Sequence, residues 1–410
     1  MRVKQSEFEG GAAVKIAAKS AESSLTEAVE RIKRIADGSF AEAAATDNAD
    51  GFPVETLRKI AEANLLTAAL PENLGGGNLG IESGTNDALL QILKHCGRGN
   101  LVVGRVYEGH FNALLLINLF GSAGQIETYG ADAASGKLFG VWNTEAADGV
   151  KITPLENGKF RLEGAKTFAT GVGFVERPIV NGALPDGGGW QMCVVPMEKV
   201  LTKVDASWWQ PMGMRATRSF KVDFTNVEIE RQDLIGAPGD YYRQPWFSGG
   251  AIRFAAVQFG AAEALFDETR RYLQELKRTD DPFQKMRLGE MAIAVESGNL
   301  WLAGAAKKLD DFMQNPSDER SENFLAYVNM MRTAIEQICL KTIVFCEKCV
   351  GARGLNKPYH FERIIRDLTI YLRQPAPDAA LADAGRYVLQ SGAAADDLWK
   401  SGKLSADERG

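Results

Sequence analysis

A chain of 410 residues, 45% hydrophobic and 24% charged, with 42 glycines and 14 prolines, has the composition of a globular protein and excludes a collagen-like or disordered one. At roughly 100–200 residues per domain the length suits two or three domains, enough to bury a sizeable core without disulfides or metals. With 47 Lys and Arg against 53 Asp and Glu the net charge is -6, so no overall positive field favours nucleic acid or anionic lipid as a partner.

The opening residues MRVKQSEFEGGAAVKIAAKSAE mix acids with bases and contain no apolar run, so no signal peptide is expected, and no long uncharged apolar stretch predicts a membrane span. Up to about residue 135 the pattern is helical, with apolar positions three and four apart in 24–35 (SLTEAVERIKRI) and again in 54–66. Between about 137 and 233 the texture changes to short alternating runs broken by Gly, Pro and Asn, such as KFRLEGAKTFAT and SFKVDFTNVEIE, which predict β structure. From Gly250 onward helical periodicity returns in segments long enough for a helical bundle, and a last helix is expected after Pro377, with Asp378 near its cap. The reading is an α+β chain of three parts: a helical N-terminal domain (1–135), a central β domain (136–235) and a C-terminal helical bundle (236–410).

The five cysteines, Cys96, Cys193, Cys339, Cys346 and Cys349, are odd in number and lack a secreted framework, which suits a reducing cytoplasm. Cys346 and Cys349 form a CxxC without a second pair, and His95, His110 and His360 are not at ligand spacing, so no metal is expected. GGGNLG at Gly75–Gly80 matches a dinucleotide fingerprint in letters alone. No strand pattern precedes it, and it reads as a loop.

Three segments of the β region place hydroxyls, amides and aromatics beside glycines: GVWNTEAADG (140–149), GAKTFATG (164–171) and QPMGMRATRSFKVDFTNVEI (210–229). By themselves they are ordinary strand ends and turns, or the polar rim of a site for a planar ligand. Their order and spacing, with VGARGLNKPYHFERIIRDL (350–368) downstream, resemble the acyl-CoA dehydrogenase family of flavoproteins over nearly the whole chain. The resemblance rests on WNTEA, on Lys166, Phe168 and Thr170, on Gly213 to Ser219, and on the strand from Val222 to Val227.

That resemblance implies a helical domain, a β domain and a four-helix bundle. It implies FAD held by Trp142, Asn143, Thr144, Phe168 and Thr170, with Arg278 and Gly351 at the dinucleotide end. It also implies a homotetramer or homodimer, a substrate pocket touched by Arg253, and a small-molecule substrate, acyl-CoA among the candidates. The first reading is an oxidoreductase of acyl-CoA dehydrogenase type, acting on the CH–CH group of an acyl thioester.

The family's catalytic Glu is missing from both usual places. Counting nine residues from Arg366 gives Pro375, and the residue before Arg253 is Ile252. Asp378 is then the fallback base, and Glu108 and His110, in YEGHFNALLLINLFGS, are polar candidates for the cavity or the start of a helix. Without a base, α,β-dehydrogenation loses typically 10²–10⁴-fold. The alternatives are a reduced-flavin-dependent monooxygenase on the same scaffold, which needs no carbon base, or a flavoprotein without acyl-CoA activity.

Overall fold

The computed structural model describes residues 24–373 and 376–400. The chain begins with helices: α1 over 24–37, α2 (Phe40–Ala45), α3 (Val54–Glu62), α4 (Asn86–Gly99), α5 (Leu101–Phe120) and α6 (Ala123–Ala134). The helix expected over 54–66 stops early, because Asn64 turns left-handed at φ 57° and sends Leu65 and Leu66 into the core as irregular chain. Asn100 separates α4 from α5, its side chain accepting from the Val102 amide at 3.0 Å, and a Ser122–Gln125 capping box starts α6. α5 is apolar on nearly every face and is buried accordingly.

The β region holds ten strands: β1 (Leu138–Trp142), β2 (Lys151–Pro154), β3 (Phe160–Glu163), β4 (Ala165–Ala169), β5 (Val175–Ala183), β6 (Trp190–Val194), β7 (Lys203–Asp205), β8 (Phe220–Asp223), β9 (Val227–Ile229) and β10 (Leu234–Ile235). Seven form one sheet in the order β10-β6-β5-β2-β3-β9, with β1 pairing parallel to β5, and β4-β8-β7 form an antiparallel second sheet. Residues 143–146 cross from the end of β1 to β4, the Thr167 amide donating to the Thr144 carbonyl at 2.9 Å.

The chain then returns to helices: α7 (Trp246–Gly249), α8 (Ala251–Glu275), α9 (Pro282–Gln314), α10 (Asp318–Gly354), α11 (Phe361–Tyr371) and α12 (Pro377–Gln390). Asp281 caps α9 by accepting from the Phe283 amide at 2.8 Å, with Pro282 in the first turn, and the Ser317 hydroxyl caps α10. α8 is central, packing on α4, α9 and α10. Its crossing with α4 requires two glycines. A Cβ on Gly97 would stand 2.0 Å from the Val257 carbonyl oxygen, and one on Gly260 would stand 2.0 Å from that of Lys94. α5 packs on β1, so the N-terminal helices, the sheets and the bundle converge around α5, the ends of β1 and β4, the start of α8 and α11.

The three-part architecture read from the sequence is the one observed. The short α7 and the separate α11 are features that helical periodicity alone did not resolve. Gly75–Gly80 is a loop after a single helical turn, with no strand before it among the described residues. The five cysteines are free and buried, and no helix among the described residues is long and apolar enough to cross a membrane.

Candidate active site

The polar segments of the β region meet α11 around a cavity of about 200 Å³. It is lined by Thr144, Phe168, Thr170, Trp209, Met214, Thr217 and Ser219 on one side and by Arg105, Ile370, Tyr371 and Arg373 on the other. Phe168 is left-handed at φ 51° and its ring stands edge-on to Trp208 and Trp209, with centroids 4.7 and 5.8 Å apart. A hydroxyl chain runs beneath it. Thr170 Oγ1 lies 3.0 Å from Ser219 Oγ, which lies 2.8 Å from Thr217 Oγ1, and that hydroxyl donates to the Met214 carbonyl at 2.8 Å.

This wall is fixed to α11 from behind. The Met214 amide donates to Asp367 Oδ1 at 2.5 Å, and Gly213 lies so close that a Cβ there would be 2.3 Å from the Arg366 carbonyl. Burial pushes the Asp367 carboxyl up to about 6, against the pull of the Arg363 guanidinium beside it. Tyr371, four residues on, is 3% exposed, and its hydroxyl, with the Arg105 guanidinium beside it, donates to no acceptor among the described residues. Burial, with the charge of Glu108 nearby, holds that phenol well above its ordinary range, so it keeps its proton.

A second cavity of about 690 Å³ shares Arg105, Thr144 and Phe168 with the first. Its polar lining follows α5 at helical spacing: Arg105 donates to Glu108 Oε2, Asn112 donates to Glu108 Oε1, and the Arg253 Nε–H donates to Asn112 Oδ1. Burial lowers the pKa of Arg253, and the charge of Glu108 offsets it only in part. Tyr241, Trp246, Phe247 and Phe254 supply much of the apolar wall, and Ala376 just before α12, with Ala379, Ala380 and Asp383 on it, closes one side.

Of the residues singled out in the sequence, Thr144, Phe168 and Thr170 line the smaller cavity, and Asn143, Glu108 and Arg253 line the larger one. Trp142 lines neither. On β1 it faces inward and is 1% exposed, its indole N–H donating to the Thr170 carbonyl at 2.9 Å, so it positions Thr170. His110 also sits outside both cavities. Its Nε2 donates to the Leu66 carbonyl at 2.7 Å and its Nδ1 accepts from the Phe139 amide at 3.1 Å, which ties α5 to the irregular chain and to β1. Asp378 is exposed in the first turn of α12 and does not line either cavity, whereas Asp383, farther along the same helix, lines the larger one. Arg278 is exposed after α8 and Gly351 marks a kink in the last part of α10, both apart from the two cavities. Pro375 lies outside the described residues.

Arg105 and Tyr371 were not singled out in the sequence. The i, i+3 spacing of Arg105 and Glu108 was the available signal for the first. Tyr371 follows Asp367 by four, on one face of α11 with the Arg–Asp pair, and nothing local marks its hydroxyl as lacking an acceptor among the described residues.

Two family descriptions match this chain. Acyl-CoA dehydrogenase, N-terminal domain, covers residues 23–137, and acyl-CoA dehydrogenase, C-terminal domain, covers residues 252–373. The chain belongs to the acyl-CoA dehydrogenase family.

Among its relatives is the dibenzothiophene monooxygenase of Mycolicibacterium goodii, 23% identical over 374 residues, covering 84% of this chain and 89% of that protein. Among solved structures, FMN-bound TdsC from Paenibacillus sp. A11-2 superposes with a TM-score of 0.82 at 19% identity, covering 91% of this chain and 100% of that one. Butyryl-CoA dehydrogenase from Megasphaera elsdenii superposes with a TM-score of 0.77 at 18% identity, covering 89% and 98%.

The smaller cavity suits the ring of a flavin. That ring is planar, apolar at one end and edged with donors and acceptors at the other. Phe168, Trp209, Met214 and Ile370 supply apolar surface. Thr144, Thr170 and Ser219 supply hydroxyls, and the Tyr371 O–H, which has no acceptor among the described residues, is a donor left for a ligand.

Proposed function

We propose that this member of the acyl-CoA dehydrogenase family is a reduced-flavin-dependent monooxygenase, taking flavin mononucleotide in the smaller cavity and an organic substrate in the larger one. The observation that carries the reading is that, among the described residues, no carboxylate lines the smaller cavity. α,β-Dehydrogenation needs a base able to take a carbon-bound proton beside the flavin. Glu108, in the larger cavity, has both carboxylate oxygens engaged by Arg105 and Asn112. The similarity to a dibenzothiophene monooxygenase and to an FMN-bound structure supports this alternative over the dehydrogenase reading that the sequence put first.

Reduced flavin, when bound, supplies two electrons, so that dioxygen gives one oxygen atom to the substrate and the other leaves as water. The chain's residues hold, orient and shield. Thr144, Thr170 and Ser219 would meet the polar edge of the ring, and Phe168 and Trp209 would exclude water from it. Tyr371 keeps its Oη proton and donates to no acceptor among the described residues, which fits it to donate to a ligand oxygen in the smaller cavity. Arg105 lines both cavities with its charge balanced by Glu108, and its guanidinium offers N–H donors where reduction and oxygen transfer build negative charge.

The test pairs two assays on purified protein loaded with FMN or FAD. Anaerobic addition of acyl-CoA should leave the flavin oxidised. Reduced FMN with oxygen should give, across a panel of small organic substrates, a product heavier by one oxygen atom. Rapid anaerobic bleaching by an acyl-CoA would overturn the reading.

A further inference from the structure

The larger cavity carries an unbalanced positive charge. Glu108 neutralises Arg105, and the relay through Asn112 ends at Arg253, 7% exposed, whose Nε is engaged by Asn112. Its two terminal nitrogens donate to no acceptor among the described residues, and no carboxylate there lies within 4.0 Å of it. A guanidinium does not lose its proton in a protein, so its burial, offset only in part by the charge of Glu108, is unfavourable until an anion makes contact with it. The same place is the first turn of the 25-residue α8, whose Gly250 and Ala251 also line the cavity, so the positive end of the helix dipole adds to the charge of Arg253. Arg332 of α10 lines the cavity too, its guanidinium carbon 5.1 Å from the Phe254 ring centroid. The other lining carboxylate, Asp383, is taken up by Arg386 at 2.8 Å and accepts from Asn329. Around these groups the wall is apolar, with Leu115, Leu116, Leu119 and Phe247.

We propose that the larger cavity selects molecules that carry one small oxyanion, a carboxylate, sulfinate or sulfonate, on an apolar body, and that Arg253 is the residue that recognises the anion. The cavity volume falls within the range of small-molecule sites. Calling such a molecule a substrate rests on the proposed function, whereas the anion preference does not.

The experiment uses the full chain and measures binding of benzoate and benzenesulfonate against their neutral counterparts, benzamide and benzenesulfonamide, by calorimetry, with and without FMN. The wild type should bind at least one anion about ten- to a hundredfold more tightly than its neutral counterpart, the range of a charge-assisted hydrogen bond. Arg253→Met should lose that preference while keeping the neutral ligands, and Arg253→Lys should keep part of it. If Arg253→Met fails to fold, the wild-type comparison still decides. Equal binding of anion and neutral partner, no binding of either anion, undiminished preference in folded Arg253→Met, or displacement of FMN by the anion would each overturn the proposal. Flavin retention, read by absorbance in the same samples, separates the two ideas: a wild type that binds benzoate but no flavin sinks the monooxygenase reading and leaves the anion site standing.

Discussion

His110 titrates in a way that distinguishes a structural clasp from a catalytic group. Both ring nitrogens are engaged with backbone, and burial pushes its pKa down from 6.5 to about 4. The folded value lies below the unfolded one, so between them the unfolded chain binds more protons. The stabilisation is therefore fully present above about pH 6.5 and is lost as pH falls towards about 4. At 1.36 kcal/mol per pKa unit the whole effect is about 3 kcal/mol, of which about 2 kcal/mol disappears between about pH 7 and about pH 5. Burial also depresses His95 and His360, so the measurement is a difference between the wild type and His110→Gln, which keeps a donor and an acceptor and does not titrate. Urea unfolding followed by tryptophan fluorescence at the two pH values should show the wild type losing about 2 kcal/mol more than the variant. Equal losses would show that His110 is not the group that titrates. A variant that unfolds like the wild type but no longer oxygenates substrate would return His110 to the chemistry.

Tyr371→Phe removes a buried hydroxyl that donates to no acceptor among the described residues, so thermal stability should change by less than about 1 kcal/mol, while product formation should fall by about a hundredfold if the hydroxyl acts as a proton donor. Unchanged turnover would remove Tyr371 from the mechanism. Gly213→Ala forces a methyl into the Arg366 carbonyl, and the loop carrying Met214 must part from α11; about 1–3 kcal/mol of stability and part of the flavin affinity should go, as read by thermal melts and flavin titration. Homo-oligomerisation through the bundle is expected, because Met286, Ile293 and Leu300 repeat every seven residues along α9 with their side chains exposed; light scattering that finds a monomer at micromolar concentration would contradict it.

The helices and strands were legible in the sequence because their signals are local: α8 and α10 repeat apolar residues at helical spacing, and SFKVDFTNVEIE alternates. The hydroxyl row of the smaller cavity was legible through the order of three segments, since Thr144, Thr170 and Ser219 each sit in one of them. What was not legible depends on side-chain direction across distant elements. Trp142 and Asn143 are neighbours in sequence, yet strand alternation sends one into the core and the other to the larger cavity. Likewise His110 and Glu108 lie two apart on α5, so they point to different faces of the helix, one to Leu66 and β1 and the other to Arg105. Asp378 read as a base by its distance from Pro375, but its place in the first turn of α12 leaves it in solvent.

The alanines at the start of α12 bear on how this protein can change. Ala376, Ala379 and Ala380 contribute methyl groups to the larger cavity, while the helix and the chain after it are moored by Asn323 to the Tyr387 hydroxyl, Asn329 to Asp383, and Lys308 to the Trp399 carbonyl. None of these moorings uses an alanine. Substitutions at the three positions would enter space meant for a ligand while leaving those attachments and the hydroxyl row of the smaller cavity in place. On the proposed function, substrate range can therefore drift through one peripheral helix, residue by residue, while the chemistry of the smaller cavity is inherited unaltered.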